Sequence, residues 1–287
     1  MPAARRRPRG DLLKTPLSAA VAGKLEVLWD LLRSWQRVLV LLSGGVDSAL
    51  LLKAAVAALG DGVSALTFTG PHCPQEDLTV AQSLARHLQV RHRVEDFDPF
   101  SLPAFRCNTR QRCYACKQAV YRRGWEIAAL AGAQAVLDGA TADDAAADRP
   151  GLRAAAELGI RSPLRETGWH KEEIRALSRF WDLPGWDRPS QSCLATRFPP
   201  NTLLTPEDLG RVDLVESSLR RQGFGPVRLR CHGELVRLEL PPAQWPRLLQ
   251  PGTLAALHRL VAAQGWRFLT LDLSGYQSGS MNGKVKG

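Results

Sequence analysis

The 287 residues carry a formal net charge of +10 and 45% hydrophobic side chains, enough to bury a core in each of two domains at a prior of roughly 150 residues per domain. No apolar stretch approaches the ~20 residues of a membrane span, which excludes a bilayer-crossing helix. The basic balance rests on 31 arginines against 7 lysines, a bias that weakens a nucleic-acid reading but still favours phosphorylated ligands.

Met1 to Gly10 is Pro- and Arg-rich, and Leu17 to Ala22 resembles a signal cleavage region. Asp11, Lys14 and Pro16 break the apolar core that a signal needs, so residues 1–23 read as a disordered basic tail on a cytoplasmic protein. Six cysteines without a secretory signal suit a reducing compartment rather than a disulfide framework. Leu25, Val27, Leu28, Leu31, Leu32 and Trp35 recur at helical spacing over 24–36. Val38 to Leu42 is an unbroken apolar run, the pattern of a strand buried on both faces of a parallel sheet. Beyond it come a strand at 63–68, a helix at 75–88, a strand at 90–94, a long arginine-rich helix at 111–131, a strand at 134–138 and a helix at 171–181. This alternation predicts an α/β fold with a doubly wound parallel sheet, whose ligands sit beyond the carboxyl ends of the strands.

Composition shifts at Phe198-Pro199-Pro200-Asn201. Thr205, Pro206, Glu207 and Asp208 then make a helix start, with an N-cap, a first-turn proline and two acids. The expected division is therefore 24–200 for the nucleotide domain and 201–287 for a smaller α+β domain. The second reads as a helix at 207–222, strands at 226–231 and 235–240, a helix at 254–264 and a strand at 267–273.

The run at 38–42 feeds Ser43-Gly44-Gly45-Val46-Asp47-Ser48 and then an apolar helix. Gly44 and Gly45 let backbone N–H groups turn inward, and the helix start adds its unpaired donors and positive dipole end. Ser43 and Ser48 supply hydroxyls, and Asp47 opens the helix. The loop lacks the Walker A lysine and the Gly-x-Gly-x-x-Gly of hydride enzymes. It resembles the PP-loop of the ATP pyrophosphatases, which implies ATP cleaved between the α and β phosphates and Asp47 holding Mg²⁺. The alternative is a tight turn without a ligand.

Cys193 lies just before the composition shift. Arg188 and Arg197 flank it, a setting that would lower its pKa and make it a nucleophile; a small core residue is the plainer alternative. Cys113 and Cys116 stand one helical turn apart, a spacing shared by zinc, redox and iron–sulfur sites, with Cys193 a candidate third ligand and Cys107 incidental. Arg228 and Arg230 alternate with Val227 and Leu229 on a strand, forming either a phosphate clamp or a solvated face. Glu216 and Glu239 are candidate metal or base carboxylates, Glu216 as the tentative ligand, or ordinary surface residues. Asp138 to Asp144 follows a strand at the ligand edge, facing a ligand or capping a turn.

Taken together, Ser43 to Ser48, Arg112-Cys113-Tyr114-x-Cys116-Lys117, Arg149-Pro150-Gly151, Cys193-Leu194-Ala195-x-Arg197 and Leu271 to Asn282 resemble the ATP-dependent sacrificial sulfur transferase (LarE) family. Gly139-Ala140-Thr141 and Thr196 depart from the family pattern. The resemblance implies an enzyme that uses ATP and Mg²⁺ to adenylate a carboxylate of a pyridinium-3,5-biscarboxylate mononucleotide. It also implies conversion to a thiocarboxylate for the nickel-pincer cofactor of lactate racemase-type enzymes, with Arg228 and Arg230 gripping phosphate. The sulfur comes either from Cys193, which becomes dehydroalanine, or from sulfide on a [4Fe–4S] cluster held by Cys113, Cys116 and Cys193. Arg110, Arg112 and Lys117 favour the cluster by offsetting its charge. A homo-oligomer is expected, with the second domain serving substrate binding or self-association. The competing readings are a PP-loop tRNA thiolation enzyme, against which no RNA-stacking platform stands out, and a non-catalytic nucleotide-binding protein.

Overall fold

The computed structural model describes residues 18–144, 150–189 and 191–277. Most of the basic tail, Arg149 of the Arg-Pro-Gly motif and Gly279 to Asn282 lie outside them. Helix α1 (Ala19–Arg33) is capped by Ser18 and buries Leu25, Leu28 and Leu32 of the apolar stripe read from the sequence, whereas Val27 of that stripe is 56% exposed. Strand β1 (Val38–Leu41) is central in a sheet with β2 (Val63–Thr69), β3 (Arg91–Asp96) and β4 (Ala135–Leu137), in the order β3-β2-β1-β4. Its pairings are parallel on both sides, Val38 opposite Val63 and Ala135. That parallel sheet accounts for the absence of alternation in β1: Val38, Leu39 and Val40 are all at most 2% exposed.

Helix α2 (Val46–Leu59) follows β1 and buries Ser48 to Leu52 with Ala54 and Ala55, so it is a core helix rather than an amphipathic surface one. Helices α3 (Gln75–His87) and α4 (Arg112–Leu130) follow β2 and β3, and α5 (Lys171–Phe180) packs on α2. Short helices at Pro103–Arg106, Pro150–Glu157 and Pro163–Glu166 were not legible in the sequence; each begins at a proline, which presets the first helical φ.

Contacts divide the chain into two compact units. One holds the residues through Thr67, with Val80–Arg93 and Arg123–Arg188; the other holds Phe68–Thr79, Val94–Arg122 and the chain from Pro189 onward. The boundary expected near Asn201 thus falls inside the second unit, which also recruits two segments from before residue 123. In that unit α6 (Pro206–Arg221) starts with the anticipated cap, Thr205 accepting from Asp208 N–H and Asp208 accepting from Thr205 N–H. Strands β5 (Arg228–His232) and β6 (Leu235–Glu239) pair antiparallel around Gly233, and β7 (Phe268–Leu271) pairs parallel with β6. Helix α7 (Pro251–Ala263) completes the unit, whose core gathers Leu209, Val212, Val215, Leu229, Val236 and Leu257. Among the described residues no helix is long and apolar enough to cross a membrane.

Candidate functional site

In the first unit the loop from β1 to α2 and the segment after β4 both leave the carboxyl edge of adjacent parallel strands. Gly44 has φ of 78°, a left-handed conformation that a side chain would strain, and Gly45 is the N-cap of α2. Ser48 locks the turn: its Oγ accepts from Ser43 N–H at 3.2 Å and donates to Gly45 O at 3.0 Å, with Ser43 Oγ 3.1 Å away. A Cβ at Gly139 would lie 2.9 Å from Ser48 N, so only glycine lets the segment after β4 approach the start of α2 this closely.

Asp47 lies in the first turn of α2, and its Oδ1 is buried with no hydrogen-bond partner among the described residues. Burial pushes its carboxyl pKa up; Lys171 and Arg175, one turn apart on α5, pull it back down, and Asp144 adds to the rise. A buried carboxylate oxygen without a donor is costly unless a cation or ligand meets it, and that donor set fits Mg²⁺. The neighbouring acids act as caps. Asp138 accepts from Ser162 Oγ at 2.7 Å and Ala140 N–H at 3.2 Å, and Asp144 accepts from Thr141 N–H and Oγ1 at 2.8 and 3.0 Å. Asp143 holds His170 Nδ1 at 2.9 Å and Lys171 N–H at 2.7 Å, pinning the start of α5. Sequence reading did not single out Lys171 or Arg175, because a Lys and an Arg four apart on a helix look like any solvated face.

In the second unit Cys193 is half-buried at the head of a short 3-10 turn, Leu194–Arg197. Burial pushes its thiol up to about 11; a hydrogen bond from Ala195 N–H, Arg112 and Arg197 oppose this without reversing it. The expected thiolate, activated by flanking arginines, is therefore not what the fold provides. The reason is desolvation, which outweighs the arginines. Arg197 is itself fully buried and occupied: its Nε and Nη2 meet Glu216 Oε1 and Oε2 at 2.9 and 2.8 Å. Glu216 also accepts from Leu229 N–H at 2.9 Å and Arg220 Nη1 at 3.1 Å. It is an anchor of the turn, in place of the metal or base carboxylate expected of it.

Arg228 and Arg230 share a face of β5, but neither is solvated: they are 3% and 4% exposed. Arg230 donates to Glu239 Oε2 and to Thr196 O at 3.0 Å, which ties the hairpin to the Cys193 turn and makes Glu239 a structural partner. Arg228 donates to Gln191 Oε1 and Val227 O and lies 5.3 Å from the Tyr276 ring centroid; burial lowers its pKa to about 10.

Cys113 is exposed and Cys116 half-buried in the first turns of α4, and burial lifts the Cys116 thiol to about 12, with Cys193 and Cys113 adding to the rise. Among the described residues no three His, Cys, Asp or Glu side chains converge closely enough to hold a metal. The three cysteines as placed do not fit the [4Fe–4S] cluster that the family resemblance implied. Sequence reading also passed over His72 and Cys73. Leu194 N–H donates to His72 O at 2.9 Å, and His72 Nε2 lies 3.3 Å from Cys73 Sγ. The His72 ring packs edge-on against Phe97 and Phe105, and burial lowers its pKa to about 4. Its place three residues after the end of β2 was the available signal.

A parallel sheet whose central strand feeds a glycine loop and a helix N-terminus, with a partnerless acid beside it, defines a PP-loop nucleotide-binding protein. Residues 29–185 match the asparagine synthase family, in agreement with that class. Over 265 residues, the chain is 37% identical to the pyridinium-3,5-bisthiocarboxylic acid mononucleotide synthase of Lactiplantibacillus plantarum, covering 92% of this chain and 95% of that protein. An uncharacterised protein of Synechocystis sp. is 39% identical, covering 90% and 97%, and one of Methanocaldococcus jannaschii is 28% identical, covering 71% and 78%. The chain belongs to the PP-loop sulfur transferase (LarE) family.

Proposed function

We propose that the protein is an ATP-dependent sulfur transferase. It activates a carboxylate of pyridinium-3,5-biscarboxylic acid mononucleotide as the acyl-adenylate, releasing pyrophosphate, and converts it to a thiocarboxylate with release of AMP. The product would feed the nickel-pincer cofactor of lactate racemase-type enzymes. The observation that carries this reading is the buried, partnerless Asp47 Oδ1 beside the glycine turn, a group that costs stability unless a ligand meets it. The backbone N–H groups of Gly44, Gly45 and the first turn of α2 bind the departing pyrophosphate, and Ser48 holds them in place. Mg²⁺, held by Asp47, would neutralise phosphate charge when bound.

Adenylation replaces a poor leaving group, carboxylate oxygen, with AMP, which opens the carbonyl to a sulfur nucleophile. Cys193 is that nucleophile. Its thiol sits within the field of Arg112 and accepts from Ala195 N–H, both of which favour the thiolate once it forms. Arg228 and Arg230 bind phosphate of the substrate, and the chain works as a homo-oligomer in the cytoplasm. The test is ATP–pyrophosphate exchange. Exchange that requires the pyridinium mononucleotide and ignores tRNA supports the assignment; exchange that requires tRNA moves the protein to the tRNA thiolation enzymes, and none at all makes it a binding protein.

A further inference from the structure

The backbone carbonyl of Cys193 accepts three hydrogen bonds: from Thr196 N–H at 3.0 Å, Thr196 Oγ1 at 2.8 Å and Arg197 Nη1 at 3.3 Å. A carbonyl oxygen has two lone pairs. The first bond is an ordinary turn bond and the second a common threonine back-bond, but the turn does not call for the guanidinium. Arg197 Nη1, whose two protons are shared among four acceptors, also lies 2.9 Å from Ser192 O, 2.8 Å from Ser192 Oγ and 3.0 Å from Thr196 Oγ1, so its charge is held within this one turn, while Glu216 grips its other edge. A fully buried ion pair has been spent on placing positive charge against the peptide oxygen of the residue that carries the sulfur.

We infer that this carbonyl is an enolate-stabilising site, with Arg197 and Thr196 catalytic in releasing sulfur from Cys193. The inference rests on the reading that Cys193 itself gives up its sulfur. Once Sγ is bonded to the substrate's acyl carbon, sulfur leaves only if the Cβ–Sγ bond breaks. The Cα proton passes to water, its electron pair forms the Cα=Cβ bond, and the thiocarboxylate departs with the Cβ–Sγ pair, leaving dehydroalanine. Loss of the Cα proton puts negative charge on the Cys193 oxygen, where the three donors point. Donors fixed in advance at the atom that becomes an anion lower the barrier without reorganisation. Glu216, which touches only Arg197 among these groups, is a positioning residue.

Single-turnover quench experiments with ATP and the pyridinium mononucleotide, read by mass spectrometry at residue 193, separate thiol, thioester and dehydroalanine. Thr196→Val keeps the Arg197–Glu216 pair; it should slow conversion of thioester to dehydroalanine about tenfold, and Thr196→Ser should restore most of the loss, as one hydrogen bond to charge would predict. Arg197→Lys should slow that step by about 10²–10³-fold, the range for losing one oxyanion donor, with thioester accumulating and pyrophosphate release far less affected. Dehydroalanine formed from thioester at the wild-type rate in both variants overturns the inference, as does an equal fall in pyrophosphate release and elimination. A second measurement needs no substrate. With the other cysteines replaced by serine, Cys193 is arylated with dinitrofluorobenzene and alkaline release of dinitrothiophenolate is followed by absorbance. Thr196→Val should slow it, and an unchanged rate would refute the role of the carbonyl. Thiocarboxylate made without dehydroalanine would instead sink the reading of Cys193 as the sulfur source, while the aryl release still decides the carbonyl.

Discussion

The nucleotide loop and the Cys193 turn both bury charge, and they treat it in opposite ways. Asp47 Oδ1 meets no partner among the described residues, and burial pushes its carboxyl pKa up. Arg197 and Glu216 are buried more deeply still, yet they satisfy each other through two hydrogen bonds, and Arg230 is matched by Glu239 in the same way. Burial of a charge therefore does not mark a binding site. What sets Asp47 apart is an unmet acid beside a glycine turn and a helix start, whereas a met pair marks a device for holding something else in place.

The contrast can be broken most sharply at Arg197. Arg197→Ala should cost about 3–5 kcal/mol in urea unfolding, because it strands Glu216, whereas the double substitution Arg197→Met with Glu216→Leu should cost much less. Equal losses in the two would mean that the pair itself, rather than the stranded charge, holds the unit together. Asp47→Asn tests the other half. Substrate-dependent pyrophosphate release should fall by about 10²–10³-fold, yet the melting temperature at neutral pH should rise. A carboxyl whose folded pKa is raised destabilises the fold once ionised, so the gain should vanish as pH falls below the ordinary aspartate range. A lower melting temperature for Asp47→Asn at pH 7 would show that the carboxylate is satisfied after all.

His72 extends the comparison to a neutral buried group. Its folded pKa of about 4 lies below the ordinary histidine value, so the unfolded chain binds the extra proton first as pH falls. Stability should be complete above pH ~6.5 and decline by about 3 kcal/mol on the way to pH ~4, and His72→Gln should flatten that slope. A slope that persists in the variant would assign acid sensitivity elsewhere. The smallest effect is expected at β5, where Arg228→Ala should weaken binding of the phosphorylated substrate by ~1–3 kcal/mol in calorimetry. Unaltered affinity would remove Arg228 from the phosphate clamp and leave it as a packing residue of β5.

Much of this was legible before any tertiary contact was known. The unbroken apolar run of β1, the glycine turn and the Thr205-Pro206 cap each depend on residues within a few positions of one another, and local sterics and capping decide them. The parallel sheet followed from strands alternating with helices. Desolvation and charge pairing were not legible, because they depend on what distant segments bring. Arg197 meets Glu216 from 19 residues away, β6 supplies Glu239 to Arg230, and segments 68–79 and 94–122 join a unit whose main body begins at Pro189. The sequence by itself determined the glycine loop and the elements that carry it. Only the tertiary structure decided that the Cys193 thiol stays protonated, that Arg228 and Arg230 are buried, and that Glu216 holds an arginine, since a side chain's protonation and partners follow from the dielectric and the charges around it once the chain is packed.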